Sequence, residues 1–357
     1  MAKIPLTRCQ FVLPFVYILD AVGAPVDSLL EKHNLPVDME GHLDSYVPIR
    51  NALQFAETAK RAQGIADFGH MVARGANFHY LSARLRALIV NSPTLFVALK
   101  TLCANAHLED TNLAMFLVFH GNSVRLHSQL IGVKGLRHLE HSQWLQNVLP
   151  VHVVREFAGP EWAPATMAFE AEYSPGAEVQ EQWSRTRFLS GQPYSWIDVP
   201  VEYLSLPPIS ASLHHGPAET DGIDVSGKLV DSLKLMLPSY LGGKVPSVAD
   251  IAEMANTSTR NLQRMLADSG FTYRGILNAV RFERAALLLR QPGIRIVDIA
   301  LSLGYTDAAH FTRAFRTMAG VSPLQYRKSQ LKSPGMMPGP FEDAGTGRAS
   351  GQRDGVR

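Results

Sequence analysis

The chain has 357 residues, 46% of them hydrophobic, with 34 Lys+Arg against 32 Asp+Glu and a formal charge of +2. That length fits two domains plus a tail, and the apolar content is enough for packed cores. Two cysteines, Cys9 and Cys103, exclude a disulfide framework and suit a reducing compartment, while a whole-chain charge of +2 does not by itself point to nucleic acid.

Lys3 and Arg8 precede an apolar run over 11–19, and Ala21-Val22-Gly23-Ala24 follows it, which mimics a secretory signal. Pro14 and Asp20 interrupt or end the run, and it is far too short to span a bilayer, so a buried first helix is expected. Pro48 opens a helix whose apolar members are Leu53, Phe55, Ala56 and Ala59. Ser92-Pro93 opens another, with Leu95, Phe96, Leu99, Leu102 and Cys103 on its apolar side. Then the period changes from helical to alternating: 114–120 and 124–129 flank Gly121-Asn122, a tight hairpin. A helix is expected over 136–157, with short strands over 166–172, 186–189 and 195–199. The result is an α+β domain over 1–215.

Catalysis has few carriers here. His138-Leu139-Glu140-His141 places histidines at i and i+3, and His127, His152, His214 and His215 add candidates. Neither metal-protease spacing of His and Glu occurs, so His138 and His141 read as surface histidines on an amphipathic helix. No Gly-rich phosphate loop or Gly-x-Ser-x-Gly elbow is present, and two cysteines this far apart cannot form a zinc-bound methyl-accepting cluster. Trp144, Trp162, Trp183 and Trp196 read as core or pocket wall. A domain boundary is expected between 207 and 227, where periodicity lapses.

The C-terminal third contains a repeat. Val248-Ala249-Asp250-Ile251-Ala252 returns as Ile296-Val297-Asp298-Ile299-Ala300, Leu262-Gln263-Arg264 as Phe311-Thr312-Arg313, and Gly270 as Gly320. Each copy predicts a short helix, a tight turn and a second helix with arginine on its polar face, the form of a helix-turn-helix. In the first copy Ser247 is an N-cap, Ile251, Ala252 and Ala255 share a face, and Asn256-Thr257 break the helix. Thr257 or Ser258 caps the next helix, where Leu262, Met265 and Leu266 point inward and Arg260, Asn261, Gln263 and Arg264 outward. In the second, Ile299, Ala300 and Leu303 form the first helix, Gly304 the turn and Asp307 the cap. Phe311, Ala314 and Phe315 then point inward and His310, Thr312, Arg313 and Arg316 outward. Arginine bonds guanine bidentately and glutamine or asparagine bonds adenine, so these faces carry base-reading chemistry. The bland alternative is a helical bundle with a solvated arginine face; two matched copies weigh against it. Between the copies, 276–290 holds neither proline nor glycine and predicts one linker helix. Beyond 332 the chain is rich in Gly, Pro and Ser, and disorder is expected.

Charge follows the motifs. Residues 224–328 carry +6, residues 1–223 carry −5 and the tail +1. The basic charge is where phosphate contacts would require it.

The string Ser258-x-Arg260-x-Leu262-Gln263-Arg264-x-Leu266, then Arg281-x-Glu283-x-Ala285-x-x-Leu288-Leu289, resembles the AraC/XylS transcription regulators. So do Ile299-Ala300-x-x-Leu303-Gly304-Tyr305-x-Asp307, His310-Phe311-x-Arg313-Ala314-Phe315 and Gly320-Val321-Ser322-Pro323-x-x-Tyr326-Arg327. The resemblance implies an all-α DNA-binding domain over 224–328, with two helix-turn-helix units joined by a linker helix, and a tail over 329–357. It also implies base or phosphate contacts from Arg260, Gln263, Arg264, Thr312 and Arg313; Ser258, Asn261, His310 and Arg316 complete the candidate face. Val90-Asn91-Ser92-Pro93-Thr94-Leu95 and Gly159-Pro160-Glu161-Trp162-Ala163-Pro164 are similar to the arabinose-binding-like N-terminal sensor domain of one branch. That label does not make arabinose the ligand.

The expected function is a cytoplasmic transcriptional regulator that binds double-stranded promoter DNA, with neither cofactor nor metal and no membrane association. Its 1–215 domain would answer a small organic effector or form a homodimer, and RNA polymerase would be a partner if it activates. The alternatives are a constitutive DNA-binding protein whose N-terminal domain only oligomerises, and a DNA-targeted enzyme.

Overall fold

The computed structural model describes residues 3–133, 139–209 and 228–332. The apolar run near the N-terminus folds as strand β1 (Leu6–Arg8) and helix α1 (Cys9–Ala21), with Phe11, Val12, Leu13, Phe15 and Leu19 buried. Pro14 lies inside α1 and does not end it. Burial of the residues flanking it outweighs the one backbone hydrogen bond that proline forgoes. After α2 (Val26–Lys32), strand β2 (Tyr46–Pro48) pairs antiparallel with β1, Leu6 opposite Pro48.

Helix α3 (Ile49–Gln63) starts directly after Pro48, buries Leu53, Phe55, Ala56 and Ala59, and stops at Gly64 in a left-handed turn. Next come α4 (Phe68–Gly75), α5 (Ala83–Val90) and α6 (Leu95–Asn105). The cap of α6 is Thr94, whose hydroxyl accepts from the Val97 N–H, two residues beyond the expected Ser92. The change of period is real: β3 (Leu113–His120) and β4 (Ser123–Leu130) form a hairpin with Leu113 opposite Leu130. Helix α7 (Glu140–Ala158) is followed by β5 (Thr166–Ala168), α8 (Ala177–Gln182), β6 (Arg187–Leu189) and β7 (Ser195–Pro200). Strand β5 is shorter than the expected 166–172, because the chain beyond Phe169 turns to set Tyr173 edge-on to Trp144, ring centroids 5.8 Å apart. The five strands run in the order β3-β4-β7-β5-β6, antiparallel except for β5 beside β6.

Helix α7 is the spine of this α+β region, packed against α3, α4, α6 and β7. Trp144 is fully buried among Phe169, Tyr173, Trp183 and Phe188. Gly69 of α4 makes the close crossing possible, since a Cβ there would lie 2.8 Å from the His141 Cα. Buried polar residues of α7 tie down strand ends: Asn147 Nδ2 donates to the Ala168 carbonyl at 3.0 Å, and Gln143 Oε1 accepts from the Ala171 N–H at 3.1 Å. This corrects the reading of His141 as a surface residue. It is 1% exposed, 3.3 Å from Glu57 Oε2, and burial holds its imidazole below the usual histidine range. A helix enclosed on most sides has no solvent face to show in its sequence. His138, His214 and His215 lie outside the described residues.

The C-terminal region is all-α, with α9 (Leu229–Met236), α10 (Val248–Met254), α11 (Thr259–Asp268), α12 (Tyr273–Leu289), α13 (Ile296–Ser302), α14 (Ala308–Ala319) and α15 (Pro323–Lys332). The chain divides into two compact units, Met1–Leu277 and Asn278–Arg357, the division falling inside α12. In the first unit the turn after α9 is anchored to the N-terminal region. Ser239 Oγ donates to the Tyr46 carbonyl and Tyr240 Oη to the Asn34 carbonyl, both at 2.9 Å. Most of the expected boundary (residues 210–227) and the expected disordered tail beyond 332 lie outside the described residues. Helix α12 is continuous over the expected linker, and Leu287 on it is exposed.

Candidate nucleic-acid interface

The Asp of the repeated Asp-Ile-Ala block is a capping residue. In α10 the Ser247 hydroxyl accepts from the Asp250 N–H at 3.2 Å, and Asp250 Oδ2 accepts from the Ser247 N–H at 2.7 Å. This reciprocal pair satisfies two orphan donors of the first turn. Ile251, Ala252 and Ala255 are buried. The helix ends where Asn256 enters the left-handed region at φ 50°, and Ser258 caps α11 by accepting from the Asn261 N–H. Leu262 and Leu266 are buried and Met265 is half-buried, which leaves Arg260, Gln263 and Arg264 exposed on one face. Asn261 is half-buried and engaged at both ends of its amide: Nδ2 donates to Thr257 Oγ1 and Oδ1 accepts from Arg264 Nη2, each at 2.7 Å.

The second pair keeps the geometry with other residues. At the N-terminus of α13 the cap position is Arg295, which has no capping side-chain bond. Asp298 accepts instead from Arg295 Nε and Nη2, both at 2.8 Å, and these bonds hold its carboxyl below the usual carboxylate range. Ile299, Ala300 and Leu303 are fully buried, and Gly304 makes the turn at φ 75°. Asp307 Oδ1 accepts from the His310 N–H at 2.6 Å and caps α14, a bond that holds its carboxyl low. Beneath α14 the core is aromatic: Phe315 lies 5.1 Å from Phe282, 5.7 Å from Phe311 and 5.4 Å from Tyr326, centroid to centroid. His310, Arg313 and Arg316 are exposed. Thr312 is half-buried and its hydroxyl donates to the Ala308 carbonyl at 2.7 Å.

The residues expected on the two outward faces thus gather on α11 and α14, with Asn261 and Thr312 set deeper than the rest. Ser258 acts as a cap. The sequence marks Thr257 as a helix breaker or cap and not as the residue that fixes Asn261 and through it Arg264, a role the Thr257/Asn261 spacing of four could have signalled. It also left Arg281 without a task. Arg281 Nε donates to the Leu303 carbonyl at 3.1 Å, and its guanidinium stands 5.0 Å from the Tyr305 ring centroid, bracing the turn of the second pair. Part of the +6 charge is therefore used inside the fold. What remains exposed is arginine on both second helices and the Gln263 amide on α11, groups that pair with guanine, adenine and phosphate.

Known proteins carry the same pattern. The family model described as the arabinose-binding domain of AraC transcription regulator, N-terminal, matches residues 23–208, more than half of the chain. A helix-turn-helix domain model matches residues 251–329. The ornithine utilization regulator of Pseudomonas aeruginosa is 32% identical over 145 residues, 39% of this chain and 42% of that protein, so the match spans less than half of the relative. The HTH-type transcriptional regulator VirS of Mycobacterium tuberculosis is 22% identical over 339 residues, 90% of this chain and 96% of its own. The crystal structure of the transcriptional regulator CdpR from Pseudomonas aeruginosa is 20% identical, covering 85% of this chain and 96% of that one, with a TM-score of 0.35. The chain belongs to the AraC/XylS-like family of helix-turn-helix transcriptional regulators and has a mixed α+β N-terminal domain.

Proposed function

We propose that α11 and α14 are the recognition helices of two helix-turn-helix units joined by α12, and that each enters a major groove of promoter DNA. The observation that carries this reading is the matched placement of Arg264 and Arg313, exposed on each second helix opposite a buried core. Arg260, Gln263 and Arg264 are base or phosphate contacts of the first unit, with Asn261 positioning Arg264. His310, Arg313 and Arg316 serve the second. Residues 1–215 form the sensor or dimerisation domain, of the arabinose-binding-like branch, and 224–328 the DNA-binding domain. The protein works in the cytoplasm, where its DNA is, and recruits RNA polymerase if it activates. No catalytic step belongs to this reading. No described helix is long and apolar enough to cross a membrane.

An effector acts by binding two states of the protein unequally; equal binding would change nothing. The arabinose in the family model's description names other proteins' ligand and is not assigned to this chain.

The test is selection of duplexes from a randomised pool by the full chain, followed by affinity measurements over a salt series. A conserved site should emerge, and log affinity should fall linearly with log salt, because Lys and Arg displace phosphate counterions. A pool without enriched sequence, or an affinity indifferent to salt, would sink the reading.

A further inference from the structure

A cavity of about 70 Å³ lies within the N-terminal region, walled by Phe11 and Phe15 of α1, Leu53 and Ala56 of α3, and Leu145 of α7. The wall is apolar except where a few polar groups reach it, and three of those are incompletely bonded: Asp110, Gln146 and His141, whose Nδ1 has no partner. Asp110 is fully buried and its Oδ1 has no hydrogen-bond partner; burial pushes its carboxyl up to about 7. Gln146 of α7 reaches the wall with a buried amide Nε2 that is also unpartnered.

Arg8, the cation whose charge acts on Asp110, makes its hydrogen bonds elsewhere. Arg8 donates to Glu109 Oε2 at 2.9 Å and to Asp44 Oδ1 at 2.5 Å. Glu109 also accepts from the Ser82 N–H at 3.0 Å and the Ser82 hydroxyl at 2.6 Å, so it is satisfied where Asp110 is not. The Thr7 side chain bonds Asp110, but its Oδ1 stays unpartnered. A buried carboxylate so incompletely bonded is expensive, and one that borders an apolar cavity marks a place where a bound molecule can complete it. We propose that this cavity is the effector site and that it takes a short primary amine with an apolar body, its ammonium on Asp110 and its alkyl part against Phe11, Phe15, Leu53 and Leu145. The proposal rests on the effector reading above and names the ligand class and the place.

Other ligand classes fit less well. A carboxylate would meet Asp110 and Glu109 as like charges. A sugar carries a hydroxyl on nearly every carbon, and these walls would leave most of them unpaired. The volume is about half that of the ~150 Å³ engineered apolar cavity that admits benzene, which limits a ligand to a few heavy atoms. The position suits control as well. Thr7 of β1 bridges to Asp110, β1 pairs with β2, and the Tyr46 carbonyl of β2 accepts from Ser239 in the segment leading to α10.

The experiment uses the full chain with n-butylamine, n-butanol and butyrate as probes in thermal melts and titration calorimetry. Butylamine should raise the melting temperature, butanol less and butyrate not at all. Asp110→Asn should keep a cooperative melt and lose the butylamine shift, and Ala56→Leu, which fills the cavity and keeps the carboxylate, should lose it too. Absence of a shift across propyl-, butyl- and pentylamine, or a shift undiminished in Asp110→Asn, overturns the proposal. Operator affinity measured against a panel of metabolites reads the effector role separately. A compound of another class that changes that affinity while amines do not leaves the effector reading standing and overturns the amine. If nothing in the panel changes the affinity, the effector reading fails, while an Asp110-dependent butylamine shift still upholds the binding site.

Discussion

The α10–α11 and α13–α14 pairs are the same device built twice from different residues. The first starts with a Ser247–Asp250 capping box; the second has Arg295 at the cap and keeps only the aspartate's half of the arrangement, with the arginine side chain added. The first turns on Asn256 and the second on Gly304. Leu262 and Leu266 anchor α11, whereas Phe311 and Phe315 anchor α14. What stays constant is a function in space: an acidic residue over the first turn, a buried alanine next to the buried isoleucine, a left-handed residue in the turn, and a side-chain cap on the second helix. The groups performing each function are exchangeable, and the outward faces have diverged most. A conserved scaffold with divergent faces is what reading two different DNA segments would require.

The largest effects should come from breaking either core. Leu262→Asp and Phe311→Asp each bury a carboxylate with no partner beside it, at a cost of several kcal/mol. Ile299→Asp should do the same from α13. Each should abolish specific binding, and a circular-dichroism melt matching the wild type would contradict the placement of that residue. If only one pair collapses when its core is charged, the two units are not equivalent in stability and the comparison becomes a ranking.

The next effects separate the faces. Arg264→Ala and Arg313→Ala should each weaken operator binding by about 1–3 kcal/mol if the residue reads a base, with preference relaxed at one position. A phosphate contact would instead weaken all sequences alike and lower the salt slope by about one. The two arginines differ in support: Arg264 is held by Asn261, while Arg313 has no side-chain partner among the described residues. Asn261→Ala should therefore reproduce part of the Arg264→Ala loss with the arginine intact. Footprints on a selected site would decide, and full retention of preference in Asn261→Ala would remove its positioning role.

Legibility differed between regions for physical reasons. In 248–320 the paired helices α10, α11, α13 and α14 each bury one stripe and leave the rest outward, so period, caps and glycines are visible in the sequence: Ser247, Ser258 and Asp307 act as caps. The hairpin at Gly121 was legible because alternation and a turn glycine coincide. Helix α7 was found, but its environment was not, because a helix buried on most faces mixes Asn147, Gln143 and His141 with valine and leucine and shows no stripe. Strands β1 and β2, at three residues each, are too short for a pattern to register. The cavity beside Asp110 could not be read at all, since its wall is assembled from segments scattered over more than a hundred residues. On the candidate interface the positions were legible and the bonding was not: spacing puts Asn261 on the outer face, and only the fold shows it spent on Thr257 and Arg264.

The smallest effects lie in the two turns, and they ask whether the exchange of Asn256 for Gly304 is as neutral as the comparison implies. A residue with a Cβ in the left-handed region costs roughly 1–2 kcal/mol, and asparagine less than most because its short amide can bond locally. Gly304→Ala should therefore destabilise the second pair by about 1 kcal/mol. Asn256→Gly should change the first by only a few tenths, the relief of strain offset by the greater freedom of the unfolded chain. Gly304→Asn, which gives the second turn the residue of the first, should fall between these. The measurement is the denaturation midpoint at unchanged slope, since a changed slope would signal a different unfolding transition. If Gly304→Asn costs as much as Gly304→Ala, the side chain at this position does nothing for the turn. The first pair would then tolerate Asn256 only because Thr257, bonded to the Ala252 carbonyl at 2.9 Å, and Ser258 hold the backbone there for it.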